Sequence, residues 1–137
     1  ADLGFEDALV DFIHYPAKAA RPYVVAANPE LVNRIAGDDM MRGCTIAANG
    51  FYGPQGRVLR CDLAVKDINE RITDFRYEGQ RITNYEMEGS AIAGLSLLMG
   101  HKAMTVCCVI AQRKVEAANT DYKPRIKQLV QTVLERI

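Results

Sequence analysis

The most hydrophobic run of the sequence, AMTVCCVIA at residues 103–111, limits the possible folds more than any other segment. It carries no charge and does not alternate between apolar and polar residues, which is typical of a strand covered on both faces. A sheet with such a strand needs helices on both sides. We therefore expect residues 103–111 to form a central strand in a layered α/β domain.

The rest of the chain alternates between strand-like and helix-like patterns. Short apolar runs predict further strands at 23–27, 44–48 and 81–85. Helical spacing and capping residues predict helices after Asn28, at 66–77, at 87–99 and after Asp121. The helix at 87–99 is apolar nearly all round, so we expect it to be buried.

The charge balance excludes several classes of partner. The chain has 17 basic and 17 acidic residues, so it lacks the basic surface of a nucleic-acid-binding protein and the polybasic edge of a membrane protein. No apolar stretch approaches the ~18 residues that a membrane span requires. We expect a cytoplasmic protein that binds neither nucleic acid nor membrane and acts on small molecules.

The cysteines give no sign of a metal site. Cys44, Cys61, Cys107 and Cys108 follow no metal-ligand spacing. We therefore expect no bound metal, and we expect these residues to be buried, reduced thiols.

A turn with the sequence FYGPQGR, at residues 51–57, follows the strand predicted at 44–48. Gln55 offers an amide donor and acceptor, and Arg57 offers a fork of donors. Together they match the acceptor, donor and acceptor along the imide edge of a pyrimidine base. The alternative is an ordinary Gly/Pro turn with a solvated arginine.

Two glutamates lie where the strand predicted at 81–85 leads into the apolar helix. Glu86 and Glu88 complement the positive end of the helix dipole in one interpretation. In another, a carboxylate here accepts two hydrogen bonds from a vicinal diol such as a ribose. A carboxylate pair also occurs in glycoside hydrolysis, but neighbours at a bend need not face one another. Spacing alone does not separate these interpretations.

Three motifs, GFYGPQGR, NYEMEG and TVCCVIAQR, occur in this order along nearly the whole chain. Their order and spacing resemble the C-terminal half of the uridine phosphorylases, in the nucleoside phosphorylase family. The resemblance implies a three-layer αβα sandwich with a mixed central sheet. Residues 1–137 would then be the C-terminal half of one such domain, and the fold would be incomplete.

The resemblance also implies a set of site residues. Gln55, Arg57 and Glu88 are implied as catalytic, and Glu88 would bind the 2′- and 3′-hydroxyls. The implied substrate-binding residues are Phe51, Gln55 and Arg57 for the base, Glu86, Met87 and Glu88 for the ribose, Ile110 and Ala111 for the wall of the base pocket, and Arg113 near its mouth.

The activity that the resemblance implies is reversible phosphorolysis of uridine to uracil and ribose 1-phosphate. Phosphate is a co-substrate, and no other cofactor is expected. In this family the phosphate site lies in the N-terminal half and a neighbouring subunit contributes to it. We therefore expect a homo-oligomer, based on dimers and up to a hexamer, and no activity from the 137 residues alone.

Two other functions stay open at this point. One is a purine nucleoside phosphorylase or a nucleosidase of the same superfamily, and the other is a non-catalytic nucleoside-binding module. Purine-specific relatives place an aspartate just after the central strand, where it protonates the leaving base. Here no carboxylate follows residues 103–111 until Glu116, which favours the pyrimidine substrate.

Overall fold

The computed structural model describes residues 1–112, 117–118 and 120–137. Its helices and strands, in chain order, are α1 Leu3–Ile13, α2 Pro29–Ile35, β1 Cys44–Ala47, α3 Ile68–Asp74, β2 Arg76–Tyr77, β3 Gln80–Glu86, α4 Gly89–Leu98, β4 Ala111–Gln112, β5 Ala117–Ala118 and α5 Lys123–Arg136. A short 3₁₀ helix, Gly53–Gln55, follows β1.

A mixed sheet lies at the centre, with the strand order β1-β3-β2. β1 runs parallel to β3, and β2 pairs antiparallel with β3. The turn between β2 and β3 has positive φ angles at Glu78 (46°) and Gly79 (77°), as a tight two-residue hairpin requires. The α/β class and the mixed sheet predicted from the sequence are confirmed.

The core lies between α1, α3 and one face of this sheet. Phe75 is only 1% exposed, and its ring packs edge-on against Phe5 with centroids 5.3 Å apart. The buried cluster consists of Phe5, Leu9, Ile13, Ile72 and Phe75, and the strand residues packed against it are Cys44, Ile46, Tyr77, Ile82 and Tyr85.

Helix α1 was not predicted from the sequence, although its signals are present. The Asp2 carboxylate accepts a hydrogen bond from the Phe5 N–H (3.0 Å) and caps the helix. Phe5, Leu9 and Ile13 recur every four residues and form its buried face. This regular spacing would have identified the helix.

Two of the predicted strands are wrong. Residues 23–27 form no strand, and residues 103–110 do not join the sheet. The Asn28 N–H donates to the Ala103 carbonyl (2.8 Å), and the Asp2 N–H donates to the Val24 carbonyl (3.1 Å). These isolated bonds replace the continuous ladder that a strand requires, so β1 stays at the edge of the sheet.

The expectation that the apolar helix is buried is also wrong. On α4, Ile92 and Leu95 are each 59% exposed, and Leu98 is 84% exposed. The chain has 10040 Å² of accessible surface, whereas a folded monomer of its mass exposes about 7,100 Å². Apolar composition leads to burial only where another element covers the helix, and no helix or strand of the described residues covers this part of α4.

The cysteines are less buried than expected. Cys61 and Cys107 are exposed, Cys44 and Cys108 are partly buried, and all four are free thiols. Within the described part of the chain, no helix combines the length and the apolar character needed to cross a membrane.

Candidate functional site

Two of the three motifs leave the sheet at the same edge. Ala47 at the end of β1 lies in register with Glu86 at the end of β3, and the Ala48 N–H donates to the Glu86 carbonyl (2.9 Å). Because β1 and β3 are parallel, their carboxyl ends meet, and such edges are where open α/β sheets bind ligands. The turn at 51–57 and the turn after Glu86 both start from this edge.

The turn at 51–57 has a tightly specified backbone. The Arg57 N–H donates to the Tyr52 carbonyl (3.0 Å), which closes the loop around the 3₁₀ helix. Gly56 has a φ of 74°, and a Cβ there would lie 2.3 Å from Nδ2 of Asn69. Glycine at position 56 therefore meets both a conformational and a steric requirement.

Arg57 is held against two aromatic rings. Its Nη1 donates to the Phe51 carbonyl (2.8 Å), and its guanidinium carbon lies 4.0 Å from the Phe51 ring centroid and 5.9 Å from that of Tyr52. The Phe51 and Tyr52 rings meet edge-on, with centroids 5.2 Å apart. This geometry orients a cation beside half-exposed aromatic faces. Tyr52 was missed from the sequence, although it lies next to Phe51 in the same motif.

Gln55 is more deeply buried than Arg57. It is 4% exposed, and its backbone carbonyl accepts a hydrogen bond from Nδ2 of Asn69 (3.3 Å). Arg57 lines a large cleft beside the sheet, whereas neither Gln55 nor Phe51 is among the lining residues. The structure therefore brings Phe51 and Arg57 together in the half-exposed part of the turn and buries Gln55.

The two glutamates have different surroundings. Oε2 of Glu86 accepts hydrogen bonds from the N–H groups of Glu88 (2.8 Å) and Gly89 (2.5 Å), at the first residues of α4. The Glu88 carboxylate accepts one bond, from the Met87 N–H (3.3 Å), and its side chain is exposed. Glu86 therefore complements the amino end of the helix, and the Glu88 carboxylate faces solvent.

The first half of the third motif, TVCCVIAQR, lies close to the start of α4. A Cβ on Gly89 would lie 2.7 Å from Oγ1 of Thr105, so residues near 105 pass close to the Glu86–Gly89 turn. Although Cys107 is exposed as a whole residue, partial desolvation of its thiol, together with the nearby Glu86 carboxylate, raises the pKa of that thiol. The segment thus passes the edge of the sheet without pairing with it.

The other predicted residues of this motif lie elsewhere. Ile110 is partly exposed at the end of the segment, and Ala111 belongs to β4, paired with Ala118. No hydrogen bond or ring contact of the described residues joins either of them to Phe51, Arg57 or Glu88. Arg113 lies outside the described residues.

The cleft beside the sheet is wide. Its volume is about 1850 Å³, and Arg57 and Glu86 lie on its walls with apolar residues of α1, β1 and β3. Pockets for small ligands usually measure about 300–1,000 Å³, so this space exceeds what one nucleoside fills. Among the residues that the structure describes, no group of three histidine, cysteine or acidic side chains is arranged to hold a metal ion.

Comparisons with known proteins agree on one family. A family model described as "Phosphorylase superfamily" matches residues 3–136. A curated protein of Schistosoma mansoni, described as uridine phosphorylase A, is 41% identical over 73 residues. The aligned segment covers 52% of this chain but only 24% of that protein, so the chain spans much less than the length of that relative. No solved structure gives a significant match.

Proposed function

The chain belongs to the phosphorylase superfamily, and on this premise we propose that it carries the base and ribose sites of a uridine phosphorylase. The single observation that carries the proposal is the meeting of two turns at one sheet edge. The Phe51–Arg57 pair leaves from β1, and the Met87–Glu88 pair leaves from β3, whose last residue is in register with Ala47. One turn offers a stacking face and a cation, and the other offers an exposed carboxylate.

The base is the group proposed for the first turn. Negative charge collects on uracil as its bond to the ribose breaks, and a guanidinium beside a base carbonyl stabilises this charge where it develops. Arg57 is already oriented by its bond to the Phe51 carbonyl, so little reorganisation is needed. Gln55 is proposed to complete the imide contact, which requires its buried amide to reach the base through the turn.

The ribose is the group proposed for the second turn. Phosphorolysis passes through an oxocarbenium-like sugar, and a carboxylate that holds the 2′- and 3′-hydroxyls fixes the ring during this change. Glu88 is exposed and can accept both hydroxyls in charge-assisted hydrogen bonds. Met87 is partly exposed beside it and offers an apolar contact to the sugar.

The pyrimidine substrate is proposed on two grounds. No carboxylate follows residues 103–111 before Glu116, so an acid that would protonate a leaving purine is missing from the expected position. The relative from Schistosoma mansoni is described as a uridine phosphorylase. Ile110 and Ala111 are proposed to line the base pocket, as the family resemblance implies.

We also propose that these 137 residues act as part of a longer phosphorylase domain. The accessible surface exceeds that of a typical folded monomer by about 2,900 Å², and much of α4 is apolar and exposed. A further part of the domain that covers α4 would remove this surface from water and supply the phosphate site. The 137 residues alone are then expected to be inactive, and the complete protein to be a homo-oligomer.

One assay tests the proposal. The full-length protein is incubated with phosphate and either uridine or inosine, and the release of free base is followed with and without phosphate. We expect phosphate-dependent cleavage of uridine with a kcat/KM about 10⁴-fold above that for inosine. Comparable values would favour the purine substrate, cleavage without phosphate would favour a nucleosidase, and binding without turnover would favour a non-catalytic module.

A further inference from the structure

The turn that leads into α4 has an unusual cap. Glu88 is the residue before the first turn of the helix, yet its side chain makes no capping hydrogen bond. The carboxylate of Glu86 fills this role from the end of β3, because its Oε2 accepts the N–H groups of both Glu88 and Gly89. A strand residue thus holds the start of the next helix.

One carboxylate oxygen of Glu86, Oε2, is committed to the backbone of the next turn, and the residue lies on the wall of the cleft. An oxygen of a carboxylate has two lone-pair sites, and both donors to Oε2 are backbone groups at 2.8 Å and 2.5 Å. The other oxygen, Oε1, lies 3.0 Å from the position that a Cβ on Gly89 would occupy. The carboxylate is therefore held against the first residues of α4.

The backbone of Glu86 is fixed as firmly as its side chain. Its carbonyl accepts the Ala48 N–H (2.9 Å), and the residue lies in register with Ala47 of β1. The sheet, Glu86 and the first turn of α4 therefore form one connected unit. Met87 and Glu88 lie between the two fixed points, with side chains that point outward.

We propose that Glu86 is a positioning residue, which fixes the turn that presents Met87 and Glu88 to the ribose and does not itself contact the sugar. This inference rests on the proposed function, because it concerns the same ribose site. It divides the two glutamates by role: Glu86 orders the backbone, and Glu88 accepts the hydroxyls. The ribose role that the resemblance implies for Glu86 is replaced by an indirect one.

Kinetics with uridine and 2′-deoxyuridine separate a positioning residue from a sugar ligand. In the full-length protein, Glu86→Ala should lower kcat/KM by about 10- to 100-fold for both substrates equally, because a displaced turn harms both. Glu88→Ala should harm uridine at least about tenfold more than 2′-deoxyuridine, because only uridine loses the 2′-hydroxyl contact. Glu86→Gln keeps a carbonyl acceptor for the two N–H groups, so it should recover most of the activity.

A matched control and a spectroscopic measurement complete the test. Glu70→Ala removes an exposed carboxylate from the first turn of α3 and should leave both substrates unaffected. The amide proton of Gly89, observed by NMR, should resonate downfield in the wild-type protein, stay downfield in Glu86→Gln and move upfield in Glu86→Ala. A Gly89 resonance that is unchanged in Glu86→Ala would overturn the proposal.

The kinetic outcomes are equally decisive. If Glu86→Ala lowers kcat/KM for uridine more than for 2′-deoxyuridine, as Glu88→Ala is expected to do, Glu86 is a sugar ligand and the inference is wrong. Where Glu86→Ala does not fold, Glu86→Gln is used for the same comparison. A wild-type protein that turns over neither nucleoside contradicts the proposed function instead. The preference for uridine over 2′-deoxyuridine is then measured as the ratio of the dissociation constants of the two nucleosides. A wild-type protein that binds neither nucleoside contradicts the inference as well.

Discussion

Two glycines of α4 provide a sharp test of the packing at the candidate ribose site. A Cβ on Gly89 would lie 2.7 Å from Oγ1 of Thr105 and 3.0 Å from Oε1 of Glu86. A Cβ on Gly94, one and a half turns later in the same helix, would lie 3.4 Å from the nearest atom, in the Tyr23 ring. The same substitution therefore meets a crowded site at one position and an ordinary contact at the other.

The magnitudes follow from two opposing effects. Replacing a helical glycine by alanine stabilises a helix by up to about 1 kcal/mol, whereas forcing a methyl group into a packed site costs about 1–3 kcal/mol. Gly94→Ala should therefore stabilise the protein by about 0.5–1 kcal/mol. Gly89→Ala should destabilise it by about 1–2 kcal/mol, because the crowding exceeds the gain in helix propensity.

Denaturant unfolding checks this difference. The midpoint of unfolding should rise in Gly94→Ala and fall in Gly89→Ala, with unchanged slopes. Adding Thr105→Ala to Gly89→Ala removes the closest oxygen and should recover part of the loss. If Gly89→Ala is as stable as Gly94→Ala, residues near 105 do not pack on the start of α4, and the arrangement around Glu86 is refuted.

Three further outcomes are expected. Arg57→Leu should lower kcat/KM for uridine by about 10²–10³-fold. Arg57→Lys should recover only part of the lost kcat/KM, since lysine lacks the planar fork of donors. An Arg57→Leu variant as active as the wild-type protein would show that Arg57 does not belong to the base site. Phe75→Ala should lower the free energy of unfolding by about 3–5 kcal/mol. Leu59→Ala, at an exposed position, should lower it by less than about 0.5 kcal/mol. Similar losses in the two variants would contradict the assigned core. Alkylation of Cys107, followed by mass spectrometry in a Cys108→Ser background, should reach half its maximal rate at a higher pH than for a free cysteine, because the raised pKa keeps the thiol protonated. A lower pH would contradict the partial desolvation of the Cys107 thiol near Glu86.

Elements with local signals were predicted well from the sequence. Asn28 and Pro29 indicated the start of α2, and in the structure the Asn28 side chain accepts the Leu31 N–H (3.2 Å). The strands at 44–48 and 81–85 appear as β1 and β3 with small changes at their ends. Each of these signals depends on residues that are close together in the sequence, so the local sequence is enough to predict the element.

Elements that depend on distant partners were predicted poorly. Residues 103–111 have the composition of a central strand, but a strand also needs a neighbour with free backbone groups. In the structure the Ala103 carbonyl accepts the Asn28 N–H, and the following residues lie near the start of α4. Composition describes what a segment can become, and the neighbouring elements decide whether it does.

The candidate site shows the same division. The spacing of Phe51, Gln55 and Arg57 indicated a compact turn, and the structure adds the stacking of Arg57 on Phe51, which depends only on that turn. The roles of Glu86 and Glu88 were not separable, because the answer depends on where α4 begins. Once α4 begins at Gly89, the N–H groups that need an acceptor are fixed, and Glu86 at the end of β3 is the residue that reaches them.

The exposed apolar surface of α4 bears on the stability of the chain. Both turns of the site are stabilised by contacts within the chain, namely the parallel pairing of β1 with β3 and the cap on α4. Among the described residues, the apolar side chains of Ile92, Leu95 and Leu98 stay largely exposed, and burying each would add about 1.5–3 kcal/mol. A chain that orders both turns of the candidate site locally and leaves this much apolar surface open would gain further stability from whatever covers α4. The oligomer and the longer phosphorylase domain proposed above are therefore expected to act first on stability, and on the two turns only through the position of α4.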